Sequence, residues 1–191
     1  MNMRITTSSH GFASEILDST ALRSVRNEAL GTLGSVPAIV YGQEPWSERP
    51  RRRATEHPID AVGMRAWLRS SFQRQGWDVH PIPQARLAAD YVKDRVQVEV
   101  EFGDINKWTY DLFKIQVYHS SRAIDAAVLA VPMARFGGYL GRNVANFERV
   151  VRELPHAKLS ITLPILVIGL EPEDYSALPP RTRGASRRQP A

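Results

Sequence analysis

Three carboxylates, Asp90, Glu99 and Glu101, are spaced so that a single hairpin would gather them. From Asp90 to Phe102, Val96, Val98, Val100 and Phe102 alternate with Gln97, Glu99 and Glu101. This is the period-two pattern of a strand with one buried face, which puts the acids on the other side. With Asp94-Arg95 as a two-residue turn, antiparallel pairing sets Lys93 against Val96, Val92 against Gln97 and Asp90 opposite Glu99. Directly opposed like charges destabilise a sheet, and a hard cation such as Mg2+, which takes oxygen ligands, would hold them together. Glu101 points to the same side, about 6.5 to 7 Å farther along the strand. A metal so placed polarises a phosphoryl oxygen and acidifies a bound water, which the third carboxylate orients or deprotonates. Phosphodiester cleavage is the candidate reaction. Two rivals use the same residues. Glu99 and Glu101 could be the solvated face of an edge hairpin beside Lys93 and Arg95, which spacing alone favours because alternating Glu and Val is common. Or two carboxylates could serve as acid and base of a glycosidase, against which the basic charge argues.

The elements that must position this hairpin follow from the rest of the 191 residues. Between Gly11 and Leu33, Phe12, Ile16, Leu17, Leu22, Val25 and Leu30 predict one or two short helices. Gly34 to Pro58, rich in Pro and with Arg49, Arg51, Arg52 and Arg53, predicts a long irregular basic loop, either a solvated insertion or an arm that tracks phosphates. A helix is expected over Ile59–Gly76, then the hairpin, a helix over Ile105–Tyr118 and a buried strand over Ile124–Val131. Phe136–Leu140 reads as a glycine-rich loop, Asn143–Leu154 as a helix, and Leu163–Leu170 as a central strand. The fold class is therefore α/β, a central mixed sheet flanked by helices, with the acidic hairpin on its rim and a right-handed crossover joining the last two strands in parallel. One domain over residues 1–172 is expected, followed by a disordered Pro/Arg-rich tail over 173–191.

The absence of cysteine excludes thiolate chemistry and Cys-based zinc sites and fits a reducing cytoplasm. No apolar run approaches the roughly 20 residues that span a bilayer, and Met1 to His10 is too polar for a signal peptide, so no membrane partner is expected. Lys+Arg 25 against Asp+Glu 20, a formal charge of +5, suits a polyanionic partner. Asn106, Lys107 and Lys114 flank or ride the helix after the hairpin, within reach of a groove. Arg135, Arg142 and Asn143 lie in or beside Gly137-Gly138-Tyr139-Leu140-Gly141, where planar donors suit base-edge or phosphate contacts. Tyr110, Trp108 and Phe113 read as core, Asp111 as a loop anchor or the partner of an Arg, and Gln73 or Gln75 as an outer-shell group beside a metal.

The run from Asp90 to Gly103, followed in order by Tyr110-Asp-Leu-Phe113, Ile124-Asp125, Val131-Pro-Met133 and Pro164 to Gly169, resembles the BglII and BamHI branch of type II restriction endonucleases, nearest to its GATC-cutting members. The likeness covers about Ala88 to Pro172, and ordered agreement of separated motifs is far more specific than three acids alone. It implies the PD-(D/E)xK nuclease fold, homodimers that embrace double-stranded DNA, and Mg2+-dependent cleavage of a short palindrome, GATC-centred with a four-base 5′ overhang, to 5′-phosphate and 3′-hydroxyl ends. It further implies a cognate DNA methyltransferase in the same restriction-modification system. By position, Asp90, Glu99 and Val100 would hold the metal and Glu101 would complete the catalytic set. Glu101 stands where superfamily members usually have Lys and the BglII-like members tend to have Gln, an arrangement closer to BamHI. Asp104 stands where near relatives can carry a base-approaching Lys; an Asp there accepts from cytosine N4 instead, so the target sequence would differ. A catalytically silent DNA-binding protein of the same fold is the alternative.

Overall fold

The computed structural model describes residues 2–47, 56–81, 87–157 and 163–181. The expected Arg-rich stretch 49–53 and the end of the tail, 182–191, lie outside them. Six strands form one sheet in the order β1 (Met3–His10), β6 (Ile165–Pro172), β5 (Ala126–Pro132), β4 (Val96–Val100), β3 (Tyr91–Lys93) and β2 (Asp78–Val79). β4, β5 and β6 are parallel, and the flanking pairs are antiparallel, which makes the sheet mixed as expected.

Strand β1 is a departure from the sequence reading. Its Arg, Thr, Ser and His side chains hide the alternation, yet it pairs with β6 along its whole length, from Met3 opposite Pro172 to His10 opposite Ile165. As an edge strand it needs apolar contact only at intervals, supplied by buried Met3 and by Ile5 packed on the core.

Two apolar clusters cover the two faces. One joins helices α1 (Ala13–Leu17), α2 (Arg23–Ser35), α3 (Ala61–Arg74) and α5 (Ala134–Leu140) to Val96, Val98, Val100, Val128 and Ile168. The other joins α4 (Lys107–Ser120) and α6 (Phe147–Glu153) to Ala127, Leu129, Val131, Ile165 and Val167. Because alternate residues of a strand face opposite sides, Gln97 and Glu99 face the α4 layer. β4 is therefore an interior strand covered on both faces, not the rim of the sheet: Gln97 and Glu99 are fully buried and Glu101 is 5% exposed. That excludes the solvated-face reading of the acids.

The hairpin register is the expected one, Lys93 opposite Val96 and Val92 opposite Gln97. Asp94 and Arg95 both have positive φ (44° and 67°), the left-handed pair that matches the twist of a two-residue hairpin. Arg95 is locked by Asp125, with Nε to Oδ2 at 2.6 Å and Nη2 to Oδ1 at 2.5 Å, and by the Arg122 carbonyl at 2.9 Å. Asp125 is thus a latch on the turn, and this hydrogen bond holds its carboxyl below the ordinary range.

Other boundaries shift. Phe136–Leu140 belongs to helix α5 rather than a loop: Phe136 and Leu140 are buried one turn apart, and that packing outweighs the low helix propensity of two glycines. The helix expected from Asn143 begins at Phe147, capped by Asn146, whose side chain accepts from the Arg149 amide. Val36, Ala38 and Ile39, in the segment read as a loop, are buried, and Val40 bridges Ile59. Part of the expected tail is also ordered, with a 3-10 turn over Tyr175–Ala177 and Leu178 packed on the core. Tyr110 and Phe113 are 54% and 55% exposed, so of the aromatics on α4 read as core only Trp108, at 5%, is. Among the described residues no helix is long and apolar enough to cross a membrane.

Candidate active site

Asp90 precedes β3, and its side chain turns onto the neighbouring strand, where Oδ2 accepts the Val100 amide at 2.9 Å. Its own amide points at Glu99 Oε1 at 3.3 Å. The hairpin thus seats Asp90, Glu99 and Val100 together. Gln97, two residues earlier on the same face of β4, donates to Glu99 Oε1 at 2.6 Å, while its own buried Oε1 has no partner among the described residues.

The other Glu99 oxygen is held by Lys114, whose Nζ lies 2.5 Å from Oε2 and 2.8 Å from Asp111 Oδ1. Here the structure corrects the expectation that Lys114 rides the helix surface toward a DNA groove. It lies 7% exposed on the phase of α4 that buries Asp111, Ile115 and Tyr118. A lysine in the buried stripe, three residues after an acid, was the available signal. Asp111 pairs with this lysine and not with an Arg.

Glu101 has partners of its own. Its Oε1 accepts the Gly103 amide and, at 3.2 Å, Nη2 of Arg65 from helix α3. A Cβ added at Gly103 would come within 2.8 Å of that same oxygen, so the tight approach depends on glycine. The helix before the hairpin therefore presents Arg65 to Glu101. Gln75 instead bonds Thr32, with its Nε2 2.9 Å from Oγ1.

Burial sets the protonation of the cluster. It pushes Glu99 well above the carboxylate range, with Asp90 adding to the rise and Lys114 opposing it. Burial likewise raises Asp111, against Lys114, and Glu101, against Arg65. Burial alone would lower Lys114, but Glu99 and Asp111 hold it above its ordinary value, so the lysine is the resident cation of the site.

Among the described residues no three acid or imidazole side chains form a closed metal cage. Mg2+ does not need one, because it takes one or two carboxylates and completes its shell with water and substrate phosphate. Asp90 and Glu99 supply such a pair, and the unpartnered Gln97 oxygen beside them is a polar orphan that a hydrated cation would satisfy. The residues present therefore fit the ion.

Two loops meet beyond the end of β4. Asp104 bridges Val144, the Ile105 amide donates to the Asn143 carbonyl at 2.9 Å, and the Ala145 amide donates to the Gly103 carbonyl at 3.2 Å. Asp104, Asn106, Lys107, Arg142 and Asn143 are all exposed there. Asp104 accepts the Asn106 amide, and Arg142 pairs with Glu56 at 3.0 Å. Arg135, also exposed, stacks over Tyr175 with its guanidinium 3.7 Å from the ring centre.

The family profile described as restriction endonuclease BglII/BglIII matches residues 5–170. The crystal structure of restriction endonuclease BglII complexed with a DNA 16-mer is similar with a TM-score of 0.72 and 17% identity, over 90% of this chain and 78% of that one. Free BglII gives 0.65 and 17%, over 90% and 81%. At that identity the solved structures speak for the fold, and the profile for descent. Among curated proteins none matches the sequence significantly.

Proposed function

The chain belongs to the BglII/BglIII restriction endonuclease family of site-specific DNA nucleases, and from that premise we propose that it cleaves double-stranded DNA at a short palindrome with Mg2+, through Asp90, Glu99 and Glu101. The observation that carries this reading is the pairing of Asp90 with Glu99 across the hairpin, beside the Val100 backbone and within reach of the two exposed polar loops. The ion would supply Lewis acidity to a non-bridging phosphate oxygen and to the attacking water. Asp90 and Glu99 would hold it. Glu101, with its proton affinity raised by burial, takes the proton as water oxygen bonds to phosphorus and the bond to the 3′ oxygen breaks, that oxygen taking a proton from solvent water.

Asp104 and Asn106 on one loop with Lys107 at the start of α4, Arg142 and Asn143 on the other loop, and Arg135 near the start of α5 are the DNA-facing candidates. Lys114 is withdrawn from that set. Cutting both strands of a palindrome calls for a twofold pair of sites, hence a homodimer. The adjacent exposed aromatics Tyr110 and Phe113 on α4, with ring centres 6.5 Å apart, offer an apolar surface for it. Light scattering should give twice 21.5 kDa for the protein and a monomer for Phe113→Glu, which should lose coordinated double-strand cutting.

The engagement of Glu101 by Arg65 and Gly103 favours one second reading, a protein that binds DNA but does not cut it. Digestion of unmethylated phage DNA with Mg2+ and with excess EDTA separates the two. Discrete fragments that vanish on chelation, with ends readable by sequencing, are the expected result. Intact DNA in both tubes alongside a gel shift would favour the silent binder. Sequenced ends would also show whether the site is GATC-centred. Growth of the producing cells only in the presence of a cognate methyltransferase would show the restriction-modification pairing.

A further inference from the structure

We propose that Arg65, delivered by helix α3, is a catalytic residue that binds the phosphate being cleaved; this deepens the nuclease reading above and rests on it. The acids Asp90, Glu99, Glu101 and Asp111 make the centre repulsive to a phosphodiester, so a cation beyond the metal must meet it. Lys114 is committed to Glu99 and Asp111 and its side chain is 9% exposed. Arg65 is different. Its side chain is 39% exposed, and among the described residues it donates one hydrogen bond, from Nη2 to Glu101 at 3.2 Å, while its buried Nε has no partner. A guanidinium carries five N–H donors in a planar fork that matches two phosphate oxygens, so most of its donor capacity remains for a ligand.

Its position suits the role. The Nη2 contact with Glu101 places the guanidinium at the end of β4, beside the third carboxylate of the set. The Gly103 segment that leads into the Asp104–Lys107 loop passes beside it: a Cβ at Gly103 would lie 3.6 Å from Nη2. A strand of DNA lying over that loop would bring a phosphate to the guanidinium and to the carboxylates together. A side chain that merely neutralised Glu101 would have no such use for its remaining donors.

The test uses the full chain and a short duplex carrying the sequence read from the digestion ends. At saturating Mg2+, Arg65→Met should lower the single-turnover cleavage rate by about 100- to 1000-fold, the loss typical of a donor to developing charge. In metal-free binding it should flatten the slope of log affinity against log salt by about 0.9 for each phosphate contact removed. Binding of Mn2+ alone, followed by its electron paramagnetic resonance signal, should stay within about twofold, because Arg65 holds no metal oxygen. Arg65→Lys should restore the salt slope but leave the rate at least about tenfold low, because a point charge replaces the fork. Wild-type rate and slope in Arg65→Met, or a wild-type rate in Arg65→Lys should the Met variant not fold, would overturn the proposal and leave Arg65 as a counter-ion to Glu101. A wild-type protein that does not cut under Mg2+ would sink the nuclease reading itself, a separate outcome.

Discussion

Glu99→Gln should abolish Mg2+-dependent cleavage, by about a thousandfold or more, while leaving metal-free DNA binding intact or tighter. The size follows from the several kcal/mol that a correctly held metal contributes to transition-state charge. Glu99 has both oxygens fixed, by Gln97 and the Asp90 amide on one side and Lys114 on the other, so no neighbouring carboxylate can take its place. The fold should survive. Glu99 is fully buried, and a neutral amide of the same shape relieves the burial that already pushes its carboxyl toward protonation, while Lys114 keeps Asp111 as a partner. Binding should not weaken, because the substitution alters no exposed group and removes a carboxyl that can only repel phosphate. Thermal unfolding, a gel shift in EDTA and single-turnover cleavage measure the three parts separately. Normal cutting by this variant would mean that the metal lies elsewhere. Because burial raises Glu99, and metal uptake must displace its proton, the wild-type rate at limiting Mg2+ should climb with pH above the ordinary carboxylate range and flatten as Mg2+ saturates.

The pairing of Asp90 with Glu99 was legible in the sequence because it depends on local geometry. A two-residue turn fixes the register of a short hairpin, and Asp94-Arg95 takes the left-handed pair that such a turn requires. The parallel order of the last two strands followed for a similar reason, since the intervening helical stretch leaves few other connections. What the sequence hid is tertiary. Arg65 meets Glu101 across 36 positions, and no spacing rule links a residue on α3 to the end of β4. The register put Glu101 on the side of Asp90 and Glu99, but could not show that its oxygen accepts from Gly103 and Arg65. Interior placement of β4 could not be read either, because Gln97 and Glu99 look like solvent-facing residues until α4 is known to cover them. The same bias toward charge at the surface put Lys114 outside and Tyr110 and Phe113 inside, and the structure reverses both.

Lys114→Met should be among the most destabilising single changes in the chain. Removing one partner of a buried ion pair while the other remains costs about 3 to 5 kcal/mol, and here two acids, Glu99 and Asp111, would lose their cation at once. For a domain of this size such a loss lowers Tm by on the order of 10 °C. A lysine that only touched DNA would show no such deficit, so differential scanning calorimetry without DNA distinguishes the two placements. The deficit should depend on pH with a definite sign. Glu99 and Asp111 are raised above their unfolded values by burial, and without Lys114 the main opposition to the rise is gone, leaving only the smaller effect of Arg65 on Asp111. The native variant then binds more protons than its unfolded chain between the two values, so its stability falls as pH increases through that window and recovers on acidification. At pH 5 the gap to wild type should be clearly smaller than at pH 8. Combining Lys114→Met with Glu99→Gln and Asp111→Asn should recover most of the loss, because the network is then neutral throughout and only packing remains. A deficit below about 1 kcal/mol that ignored pH and the companion substitutions would show that Lys114 is not the cation on which the acid cluster is built.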